Sequence, residues 1–187
     1  GGEKNKWFCF YRGELWIFKE NPYEASQPQR PLGARLFYFF ARLFRPAIPA
    51  YTANFGNRRG TMEKVFLKKG AGKVEDLIKG LPKTKWQEEL NKFFKSNAIP
   101  NLKSAKNGNY DLKDFTAPQI QAILQEMVLD WLFSNHDSHP ENFLIDEDGN
   151  IIGIDKEQPF KYFPNDKLDL NYNPNQLYEP LHYTLLR

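Results

Sequence analysis

The chain has 187 residues, of which 41% are hydrophobic and 16% aromatic, so it is long and apolar enough to bury a core in one domain or in two small lobes. No apolar run approaches the roughly 18 residues of a membrane span, and a single cysteine, Cys9, excludes an internal disulfide and gives redox chemistry no support. The net charge of +3 conceals a division, because residues 1–110 carry 21 basic and 9 acidic side chains whereas residues 111–187 carry 5 and 14.

Two interpretations of this charge division stay open. The basic half can bind an acidic partner or a membrane surface, while the acidic half contains a site that a metal would neutralise. Alternatively, the charges are solvated surface and attract two lobes to each other. The chain start lacks the pattern of a secretory signal, so we expect a soluble protein that is cytoplasmic or attached peripherally to a membrane. The basic stretch 64–85 is too sparse for a nucleic-acid tract, and no nucleic-acid partner is expected.

The first part of the chain predicts a small β-structure with one helix. Residues 7–19 form two aromatic strands around a turn at Arg12-Gly13. After a proline-rich connector, residues 32–44 have apolar positions at helical spacing, and prolines follow them. The aromatic cluster 37–40 lies on that period, which favours core or interlobe packing over a base-stacking platform. Residues 61–68 fit a short strand.

The middle and end of the chain are predicted to be mainly helical. Residues 84–96 form a polar helix with one aromatic face, and residues 97–114 form a loop. The strongest helix signal follows, because Thr116 can cap a helix with Gln119 three residues on, and Ile120 begins an apolar stripe that ends at Leu132 and should be buried. Residues 156–187 predict no element beyond a last strand or helix.

A predicted hairpin brings two distant residues together. Asp148-Gly149 between the apolar runs 143–145 and 151–154 is typical of a tight hairpin turn. Asn142 and Asp155 each lie six positions from that turn, so we expect them to oppose each other at about 5 Å. Asp137 lies just upstream. The three side chains therefore predict a metal and proton-transfer site.

This segment resembles the catalytic loop of atypical kinases. The spacing Asn135, Asp137, His139, Asn142, followed by an apolar strand, a turn and Ile-Asp155, is similar to that of HipA-type serine/threonine kinases and of type II phosphatidylinositol 4-kinases in the wider PI3/PI4-kinase-like group. Near the start, the sequence Trp-Ile-Phe-Lys-Glu-Asn-Pro-Tyr-Glu around Lys19 resembles a strand of the type II lipid kinases whose lysine holds ATP phosphates.

The resemblance implies an α+β, protein-kinase-like two-lobed fold over residues 1–187. The small antiparallel N-lobe would span about 1–70 and the mainly helical, abbreviated C-lobe about 71–187. It implies an atypical kinase that uses ATP and Mg²⁺ to phosphorylate a hydroxyl of a protein or an inositol lipid. In this assignment Asp137 is catalytic and orients or deprotonates the acceptor hydroxyl, and His139 braces the catalytic loop. Lys19 binds the α/β-phosphates, and Asn142 and Asp155 ligate Mg²⁺.

Departures from the kinase pattern keep two alternatives open. No glutamate is found at 31–36, on the helix after the lysine strand, so Glu20 or Glu24 would have to pair with Lys19, and no glycine-rich phosphate loop is recognisable. Lys19 could instead be a lysine that protects an edge strand. The chain could accordingly be a pseudokinase binding module, or it could transfer a nucleotidyl group on a kinase-like scaffold.

Two metal sites are less well supported. His136 and His139 form His-x-x-His without a nearby cysteine, which disfavours zinc. Asp146 begins a spacing that resembles a calcium loop, but Ile151 occupies the position where that loop needs glycine.

Overall fold

The aromatic runs at the start of the chain form the predicted hairpin. In the computed structural model, which describes residues 5–105, 112–169 and 171–172, β1 (Lys6–Tyr11) pairs antiparallel with β2 (Glu14–Glu20). The two turn residues, Arg12 and Gly13, have φ angles of 49° and 74°. Two-residue hairpin turns need this left-handed backbone, which glycine adopts without steric cost. The prediction for residues 7–19 is confirmed.

Two further strands complete a four-stranded antiparallel sheet. They are β3 (Ala50–Phe55) and β4 (Arg58–Lys64), and the strand order is β1-β2-β4-β3. The predicted strand at 61–68 overlaps only the second half of β4, and β3 was not predicted, because its small and polar residues lack the usual β-branched pattern. Since β4 pairs with β2, β2 lies inside the sheet with a partner on each side.

The predicted helix after the first hairpin packs against this sheet. Helix α1 (Arg30–Ala41) starts two residues before the predicted range and has Pro31 in its first turn. Its inner face carries Phe37 and Ala41, which join a small core with Leu129. Gly33 lies so close to the carbonyl oxygen of Pro159 that a Cβ there would be 3.1 Å from it, so a glycine permits this approach.

The middle of the chain is helical. Helices α2 (Val74–Ile78) and α3 (Lys83–Asn97) pack on the sheet, where Leu90 meets Phe8 and Leu15. The prediction of a helix at 84–96 is confirmed, whereas α2 was not predicted. The predicted loop 97–114 contains α4 (Leu102–Ala105) and a 3₁₀ turn (Leu112–Asp114), and residues 106–111 lie outside the described ranges.

Helix α5 (Ala117–Leu132) begins with the predicted capping box. The Thr116 hydroxyl accepts from the Gln119 amide, and the Gln119 side chain accepts from the Thr116 amide. The prediction that its whole apolar stripe is buried is wrong. Met127 is buried, but Val128 is 45% exposed and Leu132 is 40% exposed, because only one side of the stripe faces the core formed with β5 and β6.

The last hairpin forms in a different register from the predicted one. Strands β5 (Phe143–Ile145) and β6 (Ile151–Gly153) are joined by a loop in which Asp146 and Asn150 face each other, with three residues between them. Gly149 takes the left-handed position of this loop, with φ of 84°. The two-residue turn at Asp148-Gly149 is therefore wrong, and every pair shifts by one residue.

The fold is a mixed α+β structure with a small antiparallel sheet, several helices and a separate two-stranded hairpin. After Gly153 the described residues up to 169, with 171 and 172, form no helix or strand, and the rest of the predicted terminal element lies outside the described residues. In the described part of the chain, no helix combines the length and the apolar character that crossing a membrane requires.

Candidate functional site

Two neighbouring cavities meet at the side of the sheet that faces the β5–β6 hairpin. The polar cavity has a volume of about 320 Å³ and the apolar cavity about 540 Å³. Both are lined by Lys6, Lys19 and Asp155. The polar cavity also contains Asp137 and Arg30. The apolar cavity is formed by β-strand residues and by α3, with apolar contributions from Phe8, Ile17, Val65, Phe94, Leu144 and Ile154.

Lys19 lies at the junction of the cavities and is surrounded by carboxylates. Its ammonium contacts the Glu63 carboxylate at 2.9 Å, that of Glu157 at 2.8 Å, and that of Asp155. Because β2 is an interior strand, the interpretation of Lys19 as a protected edge residue is wrong. Burial alone would lower the pKa of Lys19, but the three carboxylates outweigh it and hold that pKa well above its usual value.

Glu63, on β4, is the acidic partner of Lys19 that the sequence prediction lacked. The predicted substitutes have other partners, since Glu20 lies 3.8 Å from Arg58 and Glu24 lies 3.0 Å from Arg59. One signal was available, because Glu63 is the only acidic residue between positions 25 and 74. A single acidic residue inside a predicted strand indicates a buried side chain that pairs with a basic residue.

The carboxylates around Lys19 carry more charge than one ammonium can neutralise. Burial raises the pKa of Glu63 to about 8, helped by the charges of Glu157 and Asp155 and opposed by Lys19. Burial also acts to raise the pKa of Asp155, but Lys19 and Lys6 outweigh it and bring that pKa below its usual value. Oxygen atoms of Glu63, Asp155 and Glu157 lie within 4.8 Å of one another. This oxygen-rich, anionic cluster fits a hard divalent cation such as Mg²⁺.

The raised pKa of Glu63 predicts a pH-dependent stability. The folded chain keeps this proton at pH values where the unfolded chain, with a pKa of 4.5, has lost it. The stabilisation is therefore complete below the unfolded pKa and is lost as the pH rises through about 8. Between about pH 5 and about pH 9, the free energy of unfolding of the wild type should fall by roughly 1–3 kcal/mol relative to that of Glu63→Gln. Urea titrations in the presence of a chelator measure this difference.

Glu88 provides the matched control for this experiment. It is an exposed glutamate on α3 whose pKa is lowered by a hydrogen bond from Lys92, so Glu88→Gln should leave the fall between about pH 5 and about pH 9 in place. A Glu63→Gln variant with the same pH profile as the wild type would contradict the assignment of the proton to Glu63.

Asn142 and Asp155, the predicted metal ligands, are not directly opposed. The Ile154 amide donates to the Asn142 carbonyl at 2.8 Å, so Ile154 is the partner of Asn142 and Asp155 is the next residue. The Asn142 side chain is buried and donates to the carbonyl oxygen of Asp137 at 2.7 Å, while Asp155 contacts Lys19. The longer hairpin loop causes this one-residue offset. Asp155 adopts a left-handed backbone with φ of 56°, which turns the chain at this point.

Asp137 and His139 lie on the loop between α5 and β5. Asp137 lines the polar cavity, and its carboxylate accepts a hydrogen bond from the Gln158 side chain at 3.0 Å. His139 is half-buried and precedes a 3₁₀ turn (Pro140–Asn142), and its charge is one of those that lower the pKa of Asp155. The role of either residue in catalysis stays a prediction.

A buried charge network supports this loop and was not predicted. The Asp130 carboxylate on α5 accepts from Asn135 at 2.8 Å, from Ser138 at 2.8 Å and from Lys156 at 2.7 Å. One turn earlier on α5, Glu126 pairs with Arg45 at 2.7 Å and with Lys156 at 3.4 Å. The sequence signal was the pair of acids four residues apart within the apolar stripe of α5.

No protein-family model matches this chain, and comparison with curated proteins gives no significant relative.

Proposed function

We propose that this chain is an atypical kinase that uses Mg²⁺ and ATP to phosphorylate a hydroxyl group of a protein or an inositol lipid. The main support is the position of Lys19. A buried lysine on an interior strand contacts Asp155, the last residue of the kinase-like motif, at the junction of an apolar and a polar cavity. Phosphoryl transfer needs a fixed cation and metal-binding oxygens at such a junction, because catalysis is mainly positioning and charge neutralisation.

The element order agrees with a kinase-like arrangement of two lobes. The first 64 residues contain the four-stranded antiparallel sheet and α1, and the helices and the site-bearing hairpin follow. In this proposal the segment after β4 joins the lobes, and the cleft between them is the site formed by the two cavities. The apolar cavity takes the adenine ring, since Ile17, Val65 and Leu144 offer apolar walls for it.

The polar cavity takes the phosphates and the acceptor. Asp155 and Glu157, whose carboxylate oxygens lie within 4.8 Å of each other, would hold Mg²⁺, which would neutralise phosphate charge. Asp155 and Glu157 hold the Lys19 ammonium in position. When the cation binds these two carboxylates, the ammonium would be released to contact the α/β-phosphates. Asp137 accepts the proton of the acceptor hydroxyl as its oxygen bonds to the γ-phosphorus and ADP leaves. His139 braces the loop that carries Asp137.

The acceptor could be a protein or a lipid, because the site chemistry is the same for both hydroxyls. The test therefore offers both acceptors. The purified chain is incubated with Mg²⁺, a generic protein substrate and phosphatidylinositol vesicles, with γ-labelled ATP in one set and α-labelled ATP in the other. Label transfer from γ-labelled ATP alone is expected.

A nucleotide-binding pseudokinase is the second candidate. It is favoured by the pairing of Lys19 with a strand glutamate, since α1 contains no acidic residue that could pair with it. Measured ATP binding without transfer of either label would establish this candidate and overturn the kinase proposal. Transfer of the α-label would indicate nucleotidyl transfer instead.

A further inference from the structure

The outward face of α1 is apolar, whereas the outer face of a surface helix is ordinarily polar. Leu32, Leu36, Phe39 and Leu43 follow one another at intervals of four, three and four residues, and each is between 43% and 65% exposed. This spacing puts the first three on one side of α1, opposite the buried Phe37, and Leu43 follows in the turn after Ala41. We call these four residues the α1 stripe.

A groove lined by Phe40 and Phe44 lies between the end of α1 and α5, and Phe44 directly follows Leu43 of the stripe in the chain. The groove has a volume of about 710 Å³, and its walls are almost entirely apolar side chains from the two helices. Phe44 is 62% exposed at its edge, and Val128 and Leu132 form the exposed part of the α5 wall. Because Phe44 adjoins Leu43, we treat the stripe and the groove as one apolar face, in contrast to the singly scattered apolar residues that are normal on a monomer.

The charges around this apolar face are positive. Of the six arginines in residues 25–62, Arg45, Arg58 and Arg59 pair with glutamates, whereas Arg35 and Arg42 lie beside the α1 stripe. Arg42 lies over the Phe39 ring at 4.4 Å and Arg35 over the Tyr51 ring at 4.3 Å. Within the described residues neither arginine forms an ion pair with an acidic side chain. Arg42 is exposed, so its charge is available to an external anionic surface, whereas Arg35 also donates to the Ala50 carbonyl at 3.2 Å and adds its charge from a half-buried position.

We propose that this apolar face binds an anionic lipid surface, with α1 lying parallel to the membrane plane. Interfacial helices combine exposed leucine and phenylalanine with arginines whose stems lie along apolar surface and whose heads reach the lipid phosphates. A second copy of the chain fits less well, because a two-fold contact through this face would bring Arg35 and Arg42 of each copy towards those of the other without acids to pair with them. The proposal is independent of the kinase assignment, since none of the residues of the stripe lines the cleft.

Vesicle sedimentation tests the proposal with the full chain. It should sediment with phosphatidylcholine vesicles that contain phosphatidylserine, and far less with phosphatidylcholine alone. The double variant Leu43→Ser, Phe44→Ser should bind at least about tenfold more weakly because it removes two side chains that would enter the lipid. Arg42→Gln should bind about fivefold more weakly, and the binding of the wild type should fall as salt is added.

Two control variants make comparable changes outside the face, one to a leucine and one to a basic residue. Leu168→Ser alters an exposed leucine beyond β6, and Lys83→Gln removes the charge of an exposed lysine on α3. Both variants should bind anionic vesicles as the wild type does. Circular dichroism checks that every variant is folded. Equal binding to neutral and anionic vesicles, no binding to either, or equal losses in the controls would overturn the proposal. So would a dimer in analytical ultracentrifugation that the double variant dissociates, in a chain that binds no vesicles.

Discussion

Replacing Asp155 with asparagine is expected to abolish Mg²⁺-dependent ATP binding and turnover. Asparagine keeps the size of the side chain and tolerates the left-handed backbone at this position, so the change is mainly the loss of one negative charge. Mutation of a residue that only hydrogen-bonds to a metal ligand already lowers metal affinity or activity by roughly 10- to 100-fold. Loss of a proposed direct ligand should therefore weaken Mg²⁺-ATP binding by more than about a hundredfold, as measured by isothermal titration calorimetry at fixed Mg²⁺.

Asp148→Asn is the matched control for this variant. It makes the same chemical change on the same hairpin, but at an exposed position in the loop. It should bind Mg²⁺-ATP like the wild type. If Asp155→Asn did the same, Asp155 would not be a metal ligand, and the assignment of the site would fail even though Lys19 contacts Asp155.

A substitution at Asp137 should affect the rate of phosphoryl transfer without affecting ATP binding. The Asp137 carboxylate lies in the polar cavity, but it is not one of the acids that contact Lys19. Asp137→Asn is therefore expected to leave ATP affinity nearly unchanged while turnover falls by about 10²- to 10⁴-fold, the usual contribution of a general base. Equal losses of affinity in Asp137→Asn and Asp155→Asn would instead indicate that the two residues do not have separate roles.

The elements that were predicted correctly are those fixed by local sequence. The first hairpin has aromatic strands on either side of Arg12-Gly13, and α5 has Thr116 and Gln119 at capping-box spacing, so each carries its own start and stop signals. Strand β3 has no such signal. It becomes a strand because β4 pairs with it along its whole length, which is a tertiary effect that overrides its weak propensity.

The motif of the candidate site is contiguous from Asn135 to Asp155, so it can be recognised in the sequence, and its function stays a prediction. The arrangement of its side chains depends on the length of the hairpin loop and on strand pairing, which the motif does not specify. Asp146 accepts backbone hydrogen bonds from Asp148 at 3.0 Å and from Asn150 at 2.8 Å, and this local bonding favours a three-residue loop over the two-residue turn. Glu63 could be suspected from its isolation among basic and apolar residues, but its contact with Lys19 follows only from the pairing of β2 with β4.

Replacing Asp130 with alanine should lower the free energy of unfolding more than any other substitution proposed for this chain. The Asp130 side chain is fully buried, and it is the acceptor shared by Asn135, Ser138 and Lys156. The charges of Asp130 and Glu126 keep the pKa of Lys156 above its usual value although burial acts to lower it. Without Asp130, that ammonium shares one carboxylate with Arg45. Breaking a buried pair in this way costs about 3–5 kcal/mol, a large part of a typical stability of about 5–15 kcal/mol. Urea unfolding measures the loss.

A double-mutant cycle distinguishes the ion pair from simple loss of packing. Lys156→Met removes the buried charge that Asp130→Ala leaves unpaired, so the double variant should be more stable than the sum of the two single losses allows, by at least about 1 kcal/mol. The exposed pair of Glu88 and Lys92 on α3 is the control, and Glu88→Ala should leave the free energy of unfolding nearly unchanged because water screens that pair. Strictly additive losses at 130 and 156 would mean that Asp130 stabilises the chain through its bonds to Asn135 and Ser138. Asp130 would then support the loop that carries Asp137 through those two hydrogen bonds, and not through its ion pair with Lys156.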